Sequence, residues 1–171
     1  DDAVAIKSGR DLDGRSVELM VEDDEQDEAV ARRRLTQLFD AGVVAVVGPT
    51  TSAMAVAMVP LANERGIPLV SPTATTHELT GKEDMFFRLV PDAATGARQQ
   101  AAYVHALGAR RLVTVADLKN RAFSQSWAQT AAERFIELGG ALAKAINFEA
   151  APGLRFADLA QQVVDAQLDA V

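Results

Sequence analysis

Short aliphatic runs alternate with helical patterns along nearly the whole chain, and most of the helical patterns end on glycine. Val43–Val47, Ile67–Val70, Met85–Val90, Arg111–Ala116 and a run near 142–148 read as strands. Apolar residues at helical spacing lie near 26–41, 52–65, 92–107, 123–138 and 155–167. A shorter helix near 2–9 and a strand near 16–22 open the pattern. Such alternation makes successive strands parallel and lays helices over the sheet. The expected fold class is therefore α/β, a parallel sheet flanked by helices on both faces. Gly42, Gly66, Gly108 and Gly139-Gly140 stop the helices, and Pro60, which lacks an N–H, is expected to kink the second long one.

Two of the strands run into hydroxyl-rich loops. Val43–Val47 leads to Gly48-Pro49-Thr50-Thr51-Ser52, and Ile67–Val70 leads to Ser71-Pro72-Thr73-Ala74-Thr75-Thr76. If these strands are neighbours in one parallel sheet, both loops meet at its carboxyl edge, where open α/β sheets bind ligands. Thr51 or Ser52 can cap the following helix, whose free N–H groups attract a carboxylate. Ser52 thus reads either as a ligand contact or as a simple cap. The second loop can bind a zwitterion without net charge, because hydroxyls both donate and accept. Turn formation and capping account for part of that loop equally well.

Lys and Arg number 17 against 24 Asp and Glu, a formal charge of -7 that disfavours nucleic acid and anionic membranes as partners. The absence of cysteine removes disulfides, thiolate nucleophiles and Cys-based zinc sites. No segment approaches the roughly 20 apolar residues of a membrane span. There is no Gly-x-Ser-x-Gly elbow, no Gly-x-Gly-x-x-Gly fingerprint and no P-loop lysine, so the chain reads as a binder and not an enzyme, with no cofactor. Glu22-Asp23-Asp24-Glu25-Gln26-Asp27-Glu28 matches no metal-loop spacing and reads as favourable charge over a helix N-terminus, so no metal site is expected. Arg32-Arg33-Arg34 reads as a solvated face with Glu28 pairing to Arg32. His77 has no evident Ser or Asp partner and reads as a surface or capping residue. His105 reads as structural or exposed. Trp127 reads as helix core, whereas Phe123 is open between that face and a wall against a ligand, with Asp117 or Arg121 as polar contacts.

Gly14–Leu19, Glu22-Asp23-Asp24, Val46–Ser52, Pro60-Leu61-Ala62, Gly66–Thr75 and Leu79-Thr80 resemble, in order, the branched-chain amino-acid class of type I periplasmic binding proteins. The likeness extends through Phe86–Arg88 and Asp92 and, more weakly, Asp117 and Phe123–Ser126. It covers nearly the whole chain and about half of a complete two-lobed receptor. The resemblance implies that Ser52 takes the place of the serine that binds the ligand carboxylate. Thr73 and Ala74 would give backbone contacts, and Thr75 the hydroxyl and carbonyl that hold carboxylate and ammonium. Phe123 would stand where an aromatic, often Tyr, comes from the second lobe. The family's first strand and loop would precede Asp1, and its ammonium-gripping acid would follow Val171.

The implied function is the substrate-binding component of an ABC importer for amino acids or related small carboxylates, held in the interlobe cleft and docking on a membrane permease. The alternative is a ligand-sensing extracytoplasmic domain of a signalling receptor. The expected location is periplasmic or extracytoplasmic, after export by a signal peptide outside this chain. The expected division is a first lobe over 1–108, lacking its first strand, and part of a second lobe over 109–171.

Overall fold

Asp27 starts the first described helix, its carboxylate accepting from Ala29 N and Val30 N at 2.8 and 2.9 Å. This helix, α1 (Glu28–Asp40), buries Ala31, Leu35, Leu38 and Phe39 on one face and gives way to Gly42 at φ 86°, a left-handed turn suited to glycine. The computed structural model describes residues 17–169, so the expected helix near 2–9 lies outside the described residues. After α1 come β1 (Val46–Val47), α2 (Ser52–Arg65), β2 (Leu69–Ser71), a one-turn helix over His77–Leu79 and β3 (Phe86–Arg88).

The three strands form one parallel sheet in the order β1-β2-β3. One row of its register, Val46, Leu69 and Phe86, faces α1 and α2, where Leu35, Met54, Met58 and Leu69 build a shared core. The alternate row, Val47, Val70 and Phe87, points the other way. Val47 is 82% exposed and Phe87 53% exposed, so among the described residues the helices cover one face of this sheet.

The strand expected near 16–22 is not formed over its described residues, 17–22, and Val17, Leu19 and Val21 are exposed. A strand exists only through ladder bonds to a neighbour, and nothing among the described residues pairs with this segment. The same logic trims the expected 43–47 strand to Val46–Val47, the two residues that pair with β2. α2 continues through Pro60 and ends on Gly66 in the left-handed conformation. The expected Glu28–Arg32 ion pair is replaced by Arg34 with Glu22 at 3.3 Å.

The rest of the described chain runs α3 (Ala93–Ala106), β4 (Arg111–Asp117), a one-turn helix over Leu118–Asn120, α4 (Arg121–Glu137), β5 (Ala141–Phe148) and α5 (Phe156–Asp165). β4 and β5 form a second parallel sheet with a register shift at Leu112/Val113. Phe135, Leu112, Ala101 and Ala132 make its core. The residues of α3 pack along α4, and a Cβ at Gly96 would meet the Trp127 ring at 2.7 Å. By packing, α3 goes with the second sheet. No described helix is long and apolar enough to cross a membrane.

Candidate functional site

β1 and β2 pair in parallel with Val47 opposite Val70, so the two hydroxyl loops leave the same edge of the sheet side by side. Once adjacent, they bond to each other. Ser71, fully buried, donates its hydroxyl to the Pro49 carbonyl at 2.6 Å and accepts from Ala74 N at 3.0 Å and Thr73 N at 3.4 Å. Thr73 Oγ1 donates to the Thr50 carbonyl at 2.6 Å. Ser52 Oγ accepts from both Thr75 N and Thr76 N at 3.1 Å.

Ser52, Thr73, Ala74 and Thr75 therefore come together, in an arrangement the residue types alone did not reveal. Ser52 is no conventional cap. It stands at the first position of α2, and the N-cap residue Thr51 makes no side-chain bond to the helix. Its two accepted bonds leave its own O–H as a donor. The Thr73 and Ala74 amides are turned to Ser71, and the Thr75 carbonyl accepts from Ala93 N at 2.9 Å. The Thr75 hydroxyl and the Ser52 O–H are the side-chain groups of this set that hold no hydrogen bond as donors among the described residues.

Phe123 sits in the first turn of α4, 37% exposed, its ring 5.8 Å from that of Trp127. It lines an apolar cavity of about 330 Å³ with Trp127, Val115, Thr114 and Gln100, a lining that includes none of the four loop residues. Asp117 is committed elsewhere, its carboxylate accepting from Lys119 N at 3.0 Å and Ala150 N at 3.2 Å. Among the described residues no group of three or more His, Cys, Asp and Glu is placed to hold a metal ion.

A polar strut behind the second loop was missed from the residues alone. His77 Nδ1 lies 2.9 Å from Asp92 Oδ2, so the histidine has the acid partner that its sequence neighbours did not reveal. Thr80 Oγ1 also donates to Asp92, Arg88 donates to the Thr76 carbonyl at 2.7 Å and to Thr80 Oγ1 at 2.6 Å, and Asp92 accepts from Ala94 N as the N-cap of α3. Partial burial acts to raise the Asp92 pKa, but the bonds from Thr80, His77 and Ala94 outweigh it and hold the carboxyl below its ordinary value of 3.8.

A carboxyl with a lowered folded pKa contributes stability that is present above its unfolded value and is lost as pH falls through the folded one. Asp92→Asn keeps a capping oxygen but loses the charge. It is expected to cost about 1–2 kcal/mol at pH 7. Urea unfolding should show that difference shrinking as the pH is taken below 3.8; a cost that is the same at both pH values would rule out the charge as its source.

Two parallel-sheet units joined through α3, with polar loops gathered at the carboxyl edge of the first, define an α/β protein of parallel sheets flanked by helices. The chain belongs to the periplasmic binding protein family, which it matches over residues 3–171. It is similar in structure to a leucine binding protein, LivK, from Thermotoga maritima, with TM-score 0.82 and 23% identity over 97% of this chain and 47% of that one. A solute binding protein of an ABC transporter from R. palustris, in complex with 4-hydroxybenzoate, gives TM-score 0.82 and 21% identity over 94% and 44% of the two chains. Another from Rhodopseudomonas palustris BisB5, in complex with 3,4-dihydroxybenzoic acid, gives 0.83 and 22% over 94% and 44%. The chain thus spans less than half the length of these structures. No curated protein matches it.

Proposed function

We propose that this chain supplies the carboxylate-binding wall of a solute-binding protein that serves an ABC importer for amino acids or related small carboxylates. The observation that carries the proposal is the Ser52 hydroxyl, held at the first turn of α2 beside the Thr75 hydroxyl, at the edge where both loops converge. Helix N-terminal amides, a free O–H and a second hydroxyl are a neutral donor set for a carboxylate. Leucine, 4-hydroxybenzoate and 3,4-dihydroxybenzoic acid, the compounds named with the similar structures, all carry that group. Thr73 and Ala74 shape the loop, and Phe123 provides an apolar side for the body of the ligand. Binding involves no covalent step. The two units close around the solute, and the loaded protein docks on a membrane permease, with a periplasmic or otherwise extracytoplasmic location. The first lobe ends with β3 and the second begins with α3, with Asp92 at the junction.

A complete receptor containing this chain is expected to rise in melting temperature with at least one of leucine, benzoate and 4-hydroxybenzoate, a ligand at one hundred times its Kd adding about 2.7 kcal/mol. The corresponding primary amides and alcohols, which lack the carboxylate, should give no shift. Equal shifts with acid and amide, or none with any acid, would remove the proposal.

A further inference from the structure

The first amides of a helix have no acceptor within it. In α2 the N-cap side chain of Thr51 does not supply one, and Ser52 Oγ is turned to Thr75 and Thr76. The Ala53 amide is met from the other unit, where Asn120 Oδ1 lies 3.1 Å away across 67 residues of sequence. Asn120 ends the one-turn helix Leu118–Asn120 and is the N-cap residue of α4, yet its side chain caps nothing in α4. Its backbone is held in place, because Ser124 Oγ donates to the Asn120 carbonyl at 3.1 Å and also to the Asp117 carbonyl. Apart from the bonds that His77 and Thr80 make to Asp92 at the junction, this is among the described residues the only side-chain hydrogen bond that ties the elements of the first sheet to those of the second. Around it, α4 packs on α2 and on the His77–Leu79 turn.

We propose that Asn120 is a latch between the two units, its carboxamide oxygen holding the N-terminus of α2 against the start of α4. The placement makes the latch sensitive to the binding edge, since Ala53 directly follows Ser52. The role goes beyond solute binding and stands independently of which compound the cleft takes. Without the bond, the contacts between α2 and α4 remain but lose their polar anchor, and the two units sample a wider range of separations.

The Ala53 amide reports on the latch directly, because no other acceptor holds it. In the 171-residue chain, Asn120→Ala is expected to speed hydrogen exchange at Ala53 by about five- to tenfold, the equivalent of one net hydrogen bond. Exchange at Thr75 and Thr76, whose amides bond to Ser52 within the first unit, should stay unchanged. Asn120→Asp keeps an acceptor oxygen, and its charge suits a helix N-terminus, so it should retain or raise protection at Ala53. Because the chain has no cysteine, Arg33→Cys and Gln129→Cys allow spin labels on exposed positions of α1 and α4. Asn120→Ala should broaden their distance distribution and shift it outward. Unchanged exchange at Ala53, an unchanged distance distribution, or an equal loss of protection at Ala53, Thr75 and Thr76 would each overturn the latch.

Discussion

Phe135→Ala is expected to cost about 3–5 kcal/mol, the range for removing a fully buried aromatic ring, and so most of the margin of an ordinary domain. Phe135 is the largest side chain with no exposure at all, and it carries the second core. Its buried partners are Ala101, Ala109, Ala132 and Leu112, so three of the four are alanines with no side-chain reach to refill the space. The ring also packs edge-on to His105, with centroids 5.6 Å apart at 81°, a geometry that adds attraction beyond buried area. On the remaining side it is capped by Gly140, where a Cβ would fall 2.2 Å from the ring. Gly140→Ala should therefore destabilise from the opposite direction, by about 1–3 kcal/mol of overpacking. Combining it with Phe135→Leu should recover part of that loss, because the smaller side chain frees the space that the new methyl needs. Urea midpoints at constant m value measure all three. A Phe135→Ala cost below 1 kcal/mol, or strictly additive behaviour of the pair, would contradict this picture of the packing.

The helices were legible because their signals are local. Gly42, Gly66 and Gly108 mark ends within a residue or two of the observed ones, and the apolar spacing of Leu35, Leu38 and Phe39 identifies the buried face of α1. Strands depend on a partner elsewhere in the chain. That is why 43–47 contracted to the two residues that pair, and why 17–22 formed no ladder despite its strand-like composition. The packing partner of α3 was not legible for a related reason. Its alanine-rich pattern fits either core, and only the seating of Gly96 on Trp127 decides between them.

The candidate site divides in the same way. Ser71-Pro72-Thr73-Ala74 carries a local signal, a serine whose oxygen accepts from amides two and three residues on. The bonds from Thr75 and Thr76 to Ser52 span 23 and 24 residues, and that from Ala53 to Asn120 spans 67. The kinds of residue at the edge could be read in advance. The pairing that sets which hydroxyls are spent on the fold and which remain free as donors could not.

Ser52→Ala is expected to act twice, and the two effects can be separated. In the chain itself it leaves Thr75 N and Thr76 N without their acceptor, the second at a fully buried residue. An unsatisfied buried amide costs about 1–3 kcal/mol, so a loss of about 2–4 kcal/mol is expected once the loop relaxes. Thr51→Ala, which removes a side chain that makes no cap bond, should cost well under half of that. Ser71→Ala is the matched control for bracing, because it strips the Pro49 carbonyl and the Ala74 amide of partners at an equally buried position, while the Ser71 hydroxyl is already spent as a donor. In a complete receptor that binds one of the carboxylates, Ser52→Ala should therefore weaken binding by about ten- to a hundredfold, the loss of a hydrogen bond to a charged group. Ser71→Ala should stay within about threefold, since a brace acts on affinity only through the population of competent loop. Calorimetric titration of the two variants alongside their urea midpoints makes the comparison. Parallel losses of affinity in both would reduce Ser52 to a structural brace and move the carboxylate contact to Thr75 and the α2 amides.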